Sequence, residues 1–155
     1  MGRTTEKRSK RSKLKIAIAV SQFHSSITQK LVKGALRSLR DSGVGEENID
    51  VLWVSGAFEL TQAVRALADT GRFDGILPLG CVIRGETPHF DYICQSVTWG
   101  LTHLALELDV PIAFGILTTN TIKQAAARAG SKANKGSEAA KSLMELIGVL
   151  RELRK

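Results

Sequence analysis

The stretch "FDGILPLGCVIRGETPHF" (residues 73–90) decides how this chain is built. Its first ten residues form a short apolar run, the pattern of a strand buried on both faces. The polar half then reads as the start of a helix. Pro88 suits a first helical position because its fixed φ fits the helix and its missing N–H would have no intrahelical partner. Thr87 before it is a good N-cap, and Gly85 permits backbone geometries that other residues resist. A buried strand turning directly into a helix is one half of a βαβ unit.

The same unit recurs along the 155 residues. "LKIAIAV" (14–20), "IDVLWV" (49–54) and "VPIAFGIL" (110–117) are further apolar runs and read as strands buried on both faces. Helical spacing separates them: Ile27, Leu31, Ala35 and Leu39, then Leu60, Val64 and Leu67, with Gly43 and Gly71 closing the two helices. A third helix is expected from Pro88 to Leu108, with Ile93, Val97, Leu101, Leu104 and Leu108 on one face. A short helix follows near 122–129, and a last one near 136–150 after the polar link "GSKANKG". Strands and helices alternating over such short connections predict a parallel sheet with right-handed crossovers and helices on both faces.

Composition sets the class. The chain is long enough for one domain with a real core. No apolar run approaches the roughly 20 residues that span a bilayer, and the start lacks the apolar segment of a secretory signal, so a soluble cytoplasmic protein is expected. Cys81 and Cys94 lie in apolar stretches outside any metal-ligand spacing and read as buried thiols, with neither a disulfide nor a metal site. The net charge of +7 is concentrated: residues 1–15 hold seven Lys or Arg against one Glu, leaving +1 for everything after them. Residues 1–13 therefore read as a disordered basic tail and 14–155 as a single, nearly neutral domain, which makes nucleic acid an unlikely partner for the fold itself.

Sheets of this type bind ligands beyond the carboxyl ends of their strands. The unusual residues collect there: "SQFHSS", "SGAFE", "GCVIRGETPHF" and "TTNT" follow the four strands. His89, early in a helix, faces free amides and the positive end of the dipole, which predicts a lowered pKa and a neutral ring fit for proton transfer. The ordinary alternative is an exposed first-turn histidine. His24 and His103 are weaker candidates. The turn after Gly85 can hold an anion on its amides and Thr87, with Arg84 and Arg128 as available guanidinium groups, while Glu86 must point away. Glu59 suits a helix start with or without a ligand, Phe23 is a helix staple or a stacking platform, and Phe114 by pattern belongs to the core.

Five stretches, "GAFEL" (56–60), "LGCVIRGETPHFDYIC" (79–94), "PIAFGILTTNT" (111–121), "QAAARAG" (124–130) and "NKGSEAA" (134–140), together resemble the lumazine synthase family in its own order. The resemblance covers about residues 14–150. It implies a flavodoxin-like three-layer α/β sandwich on a four-stranded parallel sheet, with an extra N-terminal edge strand supplied by a neighbour. It implies homo-oligomers: pentamers, in some members twelve of them in a 60-subunit shell, with active sites between subunits and riboflavin synthase as a further partner. The family condenses two small-molecule substrates, 5-amino-6-(D-ribitylamino)uracil and 3,4-dihydroxy-2-butanone 4-phosphate, without metal or organic cofactor.

Carried over by motif, the resemblance makes His89 the catalytic proton-transfer residue. Phe23 would stack on the uracil. Ala57, Phe58 and Glu59 would hold the ribityl amine, and Cys81, Val82 and Ile83 would contact the uracil by backbone. Glu86 and Thr87 would line the phosphate site. From the adjacent subunit Phe114 would cover the uracil and Arg128 would grip the phosphate, with Lys132, Lys135 and Glu138 nearby. The chain departs from the family pattern at Ser55, usually proline, at Thr61, a common proline, and in the link 130–136, which is one residue short. Rival classes fare worse. A flavodoxin-type carrier wants a glycine in the loop after strand one, a receiver domain wants aspartates there, and "SQFHSS" supplies neither; an inactive shell-forming homologue is the remaining alternative.

Overall fold

The structure, a computed structural model, describes residues 13–155. The expected basic tail therefore lies almost wholly outside the described residues. Among the described residues, strands and α-helices alternate until the end: β1 (Ile16–Ser21), α1 (Ser25–Asp41), β2 (Ile49–Val54), α2 (Leu60–Asp69), β3 (Gly75–Ile83), α3 (His89–Glu107), β4 (Gly115–Thr119), α4 (Ile122–Ala127) and α5 (Lys135–Leu153), with short 3-10 turns at Glu46–Asn48 and Ala57–Glu59. The four strands form one parallel sheet in the order β2-β1-β3-β4. Among the described residues no helix is long and apolar enough to cross a membrane.

The period-two geometry of β1 splits the core in two. Ile16, Ile18 and Val20 join Leu31, Leu39, Leu77, Leu79, Leu143 and Ile147 under α1 and α5. Ala17 and Ala19 face Leu60, Val64, Ile76, Val97, Leu101 and Leu104 under α2 and α3. The three layers are thus helices, sheet, helices. Gly43 and Gly71, the expected helix closures, both take positive φ, 91° and 67°. The helices α1 and α5 approach closely enough that a Cβ on Gly136 would overlap the Leu31 carbonyl oxygen. A larger side chain there is expected to cost more than the about 1–3 kcal/mol usual for overpacking, because backbone cannot move aside.

Two strands differ from expectation. β2 is not buried on both faces: it is one of the sheet's two edges, with Val51, Leu52 and Trp53 exposed. An apolar run reports affinity for burial, not whether this chain alone provides the cover. The fourth strand starts at Gly115, not near 110. Upstream, Ile76 accepts from Ala113 N at 3.2 Å and donates to the Pro111 carbonyl at 3.0 Å. Pro78, two residues on and facing the same neighbour, has no N–H to continue that ladder. Regular pairing resumes at Leu79 and Gly115. The interruption leaves Phe114 half exposed at the sheet edge instead of in the core.

The helix after β3 also begins later than expected. Pro88 is the flanking residue (φ −63°, ψ −4°), His89 is the first helical one, and Thr87 does not cap. The Pro88 carbonyl accepts from Asp91 N at 2.9 Å and Tyr92 N at 3.4 Å, so the first helical turn is closed without a side-chain cap.

Candidate functional site

Three turns at the carboxyl ends of β1, β2 and β3 enclose a cavity of about 780 Å³. Its walls include Phe23 and His24 from the first turn, Gly56 to Glu59 from the second, and Cys81 to Gly85, Thr87 and His89 from the third. Backbone pairing holds the first two turns together: Gln22 N donates to Val54 O at 2.7 Å and Phe23 N to Ser55 O at 3.0 Å. Phe23 and Phe58 stand 67% and 53% exposed around the cavity, large rings without cover in the isolated chain. That exposure is costly in water unless a partner or ligand uses it.

His24 supports Phe23. Its ring meets the Phe23 ring edge-on at 4.5 Å, and it carries the only positive φ of any described non-glycine residue, 57°. Partial burial lowers its pKa, so the neutral ring is favoured against the aromatic edge. Sequence spacing ranked it low; its strained backbone is invisible in sequence. Cys81 is buried, and burial pushes its thiol up to about 11. It is a wall and not a nucleophile at neutral pH. Cys94, half-buried, is raised by burial and then by the Asp91 carboxylate, against the opposing Arg84.

The third turn is the polar wall. His89 is exposed at its helix start and lines the cavity. The amides of Gly85, Glu86, Thr87, His89 and Phe90 donate to no group among the described residues, which leaves them for a ligand or solvent. The Glu86 side chain is exposed, forms no ion pair among the described residues and is not part of the cavity wall. Arg84 is not available as a free cation: Asp91, Asn120 and the Phe90 ring already hold it.

The remaining candidates lie elsewhere. Phe114, Arg128, Lys135 and Glu138 line a second cavity of about 580 Å³ along the β4 edge, together with Ser142 and Leu146. The two cavities share no residue. In the second, Lys135 Nζ pairs with Glu138 at 2.6 Å, so these charges largely cancel. Arg128 donates one N–H to the Gln124 carbonyl at 3.0 Å and keeps the rest of its fork free. Lys132 is exposed in the link and lines neither cavity. The short link is well anchored all the same. Asn134 accepts from Ser137 N at 3.0 Å and donates to the carbonyls of Lys30 and Ala129. Thr61 packs against Gly100, where a Cβ would come within 2.6 Å of its hydroxyl oxygen, so the α2–α3 contact accommodates the departure from proline.

Among the described residues no three His, Cys, Asp or Glu side chains gather as metal ligands. One cavity therefore offers exposed rings, free amides and an imidazole, and the other an aromatic ring beside an arginine. Residues 13–151 match the family model for 6,7-dimethyl-8-ribityllumazine synthase. The chain is also 51% identical over 143 residues to the 6,7-dimethyl-8-ribityllumazine synthase of Lactiplantibacillus plantarum, an alignment that covers 92% of this chain and 90% of that protein. A family match over nearly all of the folded residues, with the family's motifs at the turns that build the two cavities, establishes that this chain belongs to the 6,7-dimethyl-8-ribityllumazine synthase family.

Proposed function

We infer that the chain condenses 5-amino-6-(D-ribitylamino)uracil with 3,4-dihydroxy-2-butanone 4-phosphate to give 6,7-dimethyl-8-ribityllumazine, the penultimate step of riboflavin biosynthesis. One amine condenses with the ketone and expels water, phosphate is eliminated, and attack of the second amine on the remaining carbonyl closes the ring with loss of a second water. Family membership supports the reaction. The observation that carries the reading to residues is the split of the binding groups between two unshared cavities. Each is half of a site, completed when one subunit's β4 edge meets the strand ends of the next.

In that site Phe23 stacks on the uracil, and Phe114 of the neighbour covers its other face. Ala57, Phe58 and Glu59 hold the ribityl chain, with Cys81, Val82 and Ile83 beneath the ring. Glu86 contributes its amide only, which suits a side chain outside the cavity wall. Phosphate lies on the free amides of the 85–90 turn and Thr87, gripped by the neighbour's Arg128, with Lys135 and Glu138 alongside. Charge growing on the leaving phosphate is stabilised there, and holding two substrates in register supplies much of the remaining rate. His89 transfers protons at the addition and elimination steps.

The assembly is a homo-oligomer, built as a pentameric ring and, in its largest form, a 60-subunit shell. Exposed Val51, Leu52 and Trp53 on the open β2 edge support cover by an N-terminal strand of a neighbour. The protein works in the cytoplasm, with riboflavin synthase the partner to seek by co-purification. To test the reaction, both substrates are mixed with assembled protein and lumazine absorbance is followed against the spontaneous background. Acceleration is expected; its absence in protein of oligomeric mass would sink the reading.

A further inference from the structure

Arg84 stands where β3 ends and the turn lining the first cavity begins. Its guanidinium forms a two-pronged ion pair with Asp91, at 3.2 and 3.3 Å. Its Nε donates to Asn120 Oδ1 at 3.0 Å, and its Cζ lies 4.4 Å from the centroid of the Phe90 ring. Asp91 and Phe90 belong to the first turn of α3, and Asn120 follows β4. The side chain therefore bridges the two ends of the 85–88 turn and ties them to the next strand.

The contacts continue beyond Asn120. The Asn120 backbone N–H donates to Gln124 Oε1 at 2.8 Å, and Gln124 with Thr121 forms the capping box that starts α4. The Gln124 carbonyl in turn accepts from Arg128 Nη1. Residue to residue, polar contacts thus run from Asp91, beside the 85–88 turn of the first cavity, through Arg84, Asn120 and Gln124 to Arg128 of the second.

We propose that Arg84 is a positioning residue that sets both walls of the phosphate grip. It shapes the 85–88 turn directly through Asp91 and Phe90, and it fixes α4 beneath Arg128 through Asn120 and Gln124. The proposal rests on the reading above of those amides and Arg128 as the phosphate contacts. Three of its five N–H donors are spent on these partners, in a planar fork that a lysine ammonium cannot reproduce. Because the two walls serve different sites of the ring, one Arg84 aligns halves of two neighbouring active sites.

The test uses full-length assembled Arg84→Ala, Arg84→Lys, Asp91→Asn and Asn120→Ala, with both Michaelis constants and the Kd of inorganic phosphate measured. Arg84→Ala and Arg84→Lys are expected to raise the KM for the butanone phosphate and the phosphate Kd about tenfold, leaving the KM for the ribitylaminouracil within about twofold. Asp91→Asn and Asn120→Ala shift the same two constants less, about threefold each. A lysine variant that behaves like wild type overturns the proposal, because charge alone would then suffice. So does a rise of both Michaelis constants together with a lowered unfolding temperature, the mark of a merely structural role. Should Arg84→Ala fail to assemble, unchanged phosphate constants in both Asp91→Asn and Asn120→Ala are equally decisive against it. Wild-type protein that binds phosphate without accelerating the condensation overturns the reaction but leaves the phosphate series to judge the clamp; wild-type protein that binds no phosphate overturns both.

Discussion

The two cavities are built by different means. The one at the strand ends is made of turns, and it presents ring faces and unpaired backbone amides whose directions are set by the strands behind them. The one at the β4 edge is made of helix-borne side chains beside a strand that starts late, and it presents Phe114 and Arg128 on an open flank. Backbone groups suit holding a flat, polar ligand in fixed register, and a long side chain suits bringing charge to a departing group. Neither cavity offers both. On the proposed reading the chain carries the groups for the reaction in two places that it cannot bring together by itself, so assembly completes the site.

The strongest way to break this comparison is subunit complementation. A Phe23→Ala, Glu59→Ala double variant disables the first cavity and Arg128→Ala the second, and each alone should lose nearly all acceleration. Unfolded and reassembled at equal ratio, the two should regain about a quarter of wild-type activity, the share of heterologous contacts that pair two intact halves. A mixture as inactive as its components would show that the cavities do not combine across subunits. Next in size is His89→Ala, expected to lower turnover about tenfold, less than the roughly hundredfold or more that removing a general acid-base group usually costs, because positioning dominates. A loss of a thousandfold would make proton transfer, not register, the main source of rate.

Cys81 sharpens the contrast in another way, since a wall residue must stay uncharged. Its thiol is raised to about 11, so the fold holds that proton more tightly than the unfolded chain does. The resulting stability is complete below the ordinary thiol value of 9.0 and is lost as pH rises towards 11. Alkylation of Cys81 at pH 8, followed by peptide mass mapping, should be about a hundredfold slower in folded than in denatured protein. Equal rates would place an exposed thiolate in the cavity. The smallest effect is at His24: glycine there relieves a left-handed backbone and should add about 1 kcal/mol to stability, while weakening support for the Phe23 ring. A lower unfolding midpoint would mean that the ring contact outweighs the strain.

Much of this was legible before the structure. Apolar runs separated by helical spacing, with glycine at Gly43 and Gly71, reflect local rules, and the sheet follows from the shortness of the connections. The turns after all four strands could be recognised as a candidate site because helix capping does not ask for such unusual residues, Phe23 and His89 among them, at every strand end. Other features were not legible, each for a physical reason. Arg84 looked like a free cation because its partners Asp91 and Asn120 come from two other elements. Thr87 looked like a cap because propensity describes helix starts in general, whereas Pro88 here already closes the turn with its carbonyl. Phe114 looked like core because hydropathy cannot register a missing N–H on the opposite strand.

The sequence by itself determined the alternation of strands and helices and the family, and it named the candidate groups of the proposed site, because these depend on short-range patterns and on motifs that survive as text. Only the tertiary structure decided which strand lies at the edge, where the fourth strand begins, what holds Arg84, and that Phe23 and Arg128 face separate cavities. Those outcomes depend on hydrogen-bond partners and packing between residues far apart in the chain, which no local pattern encodes.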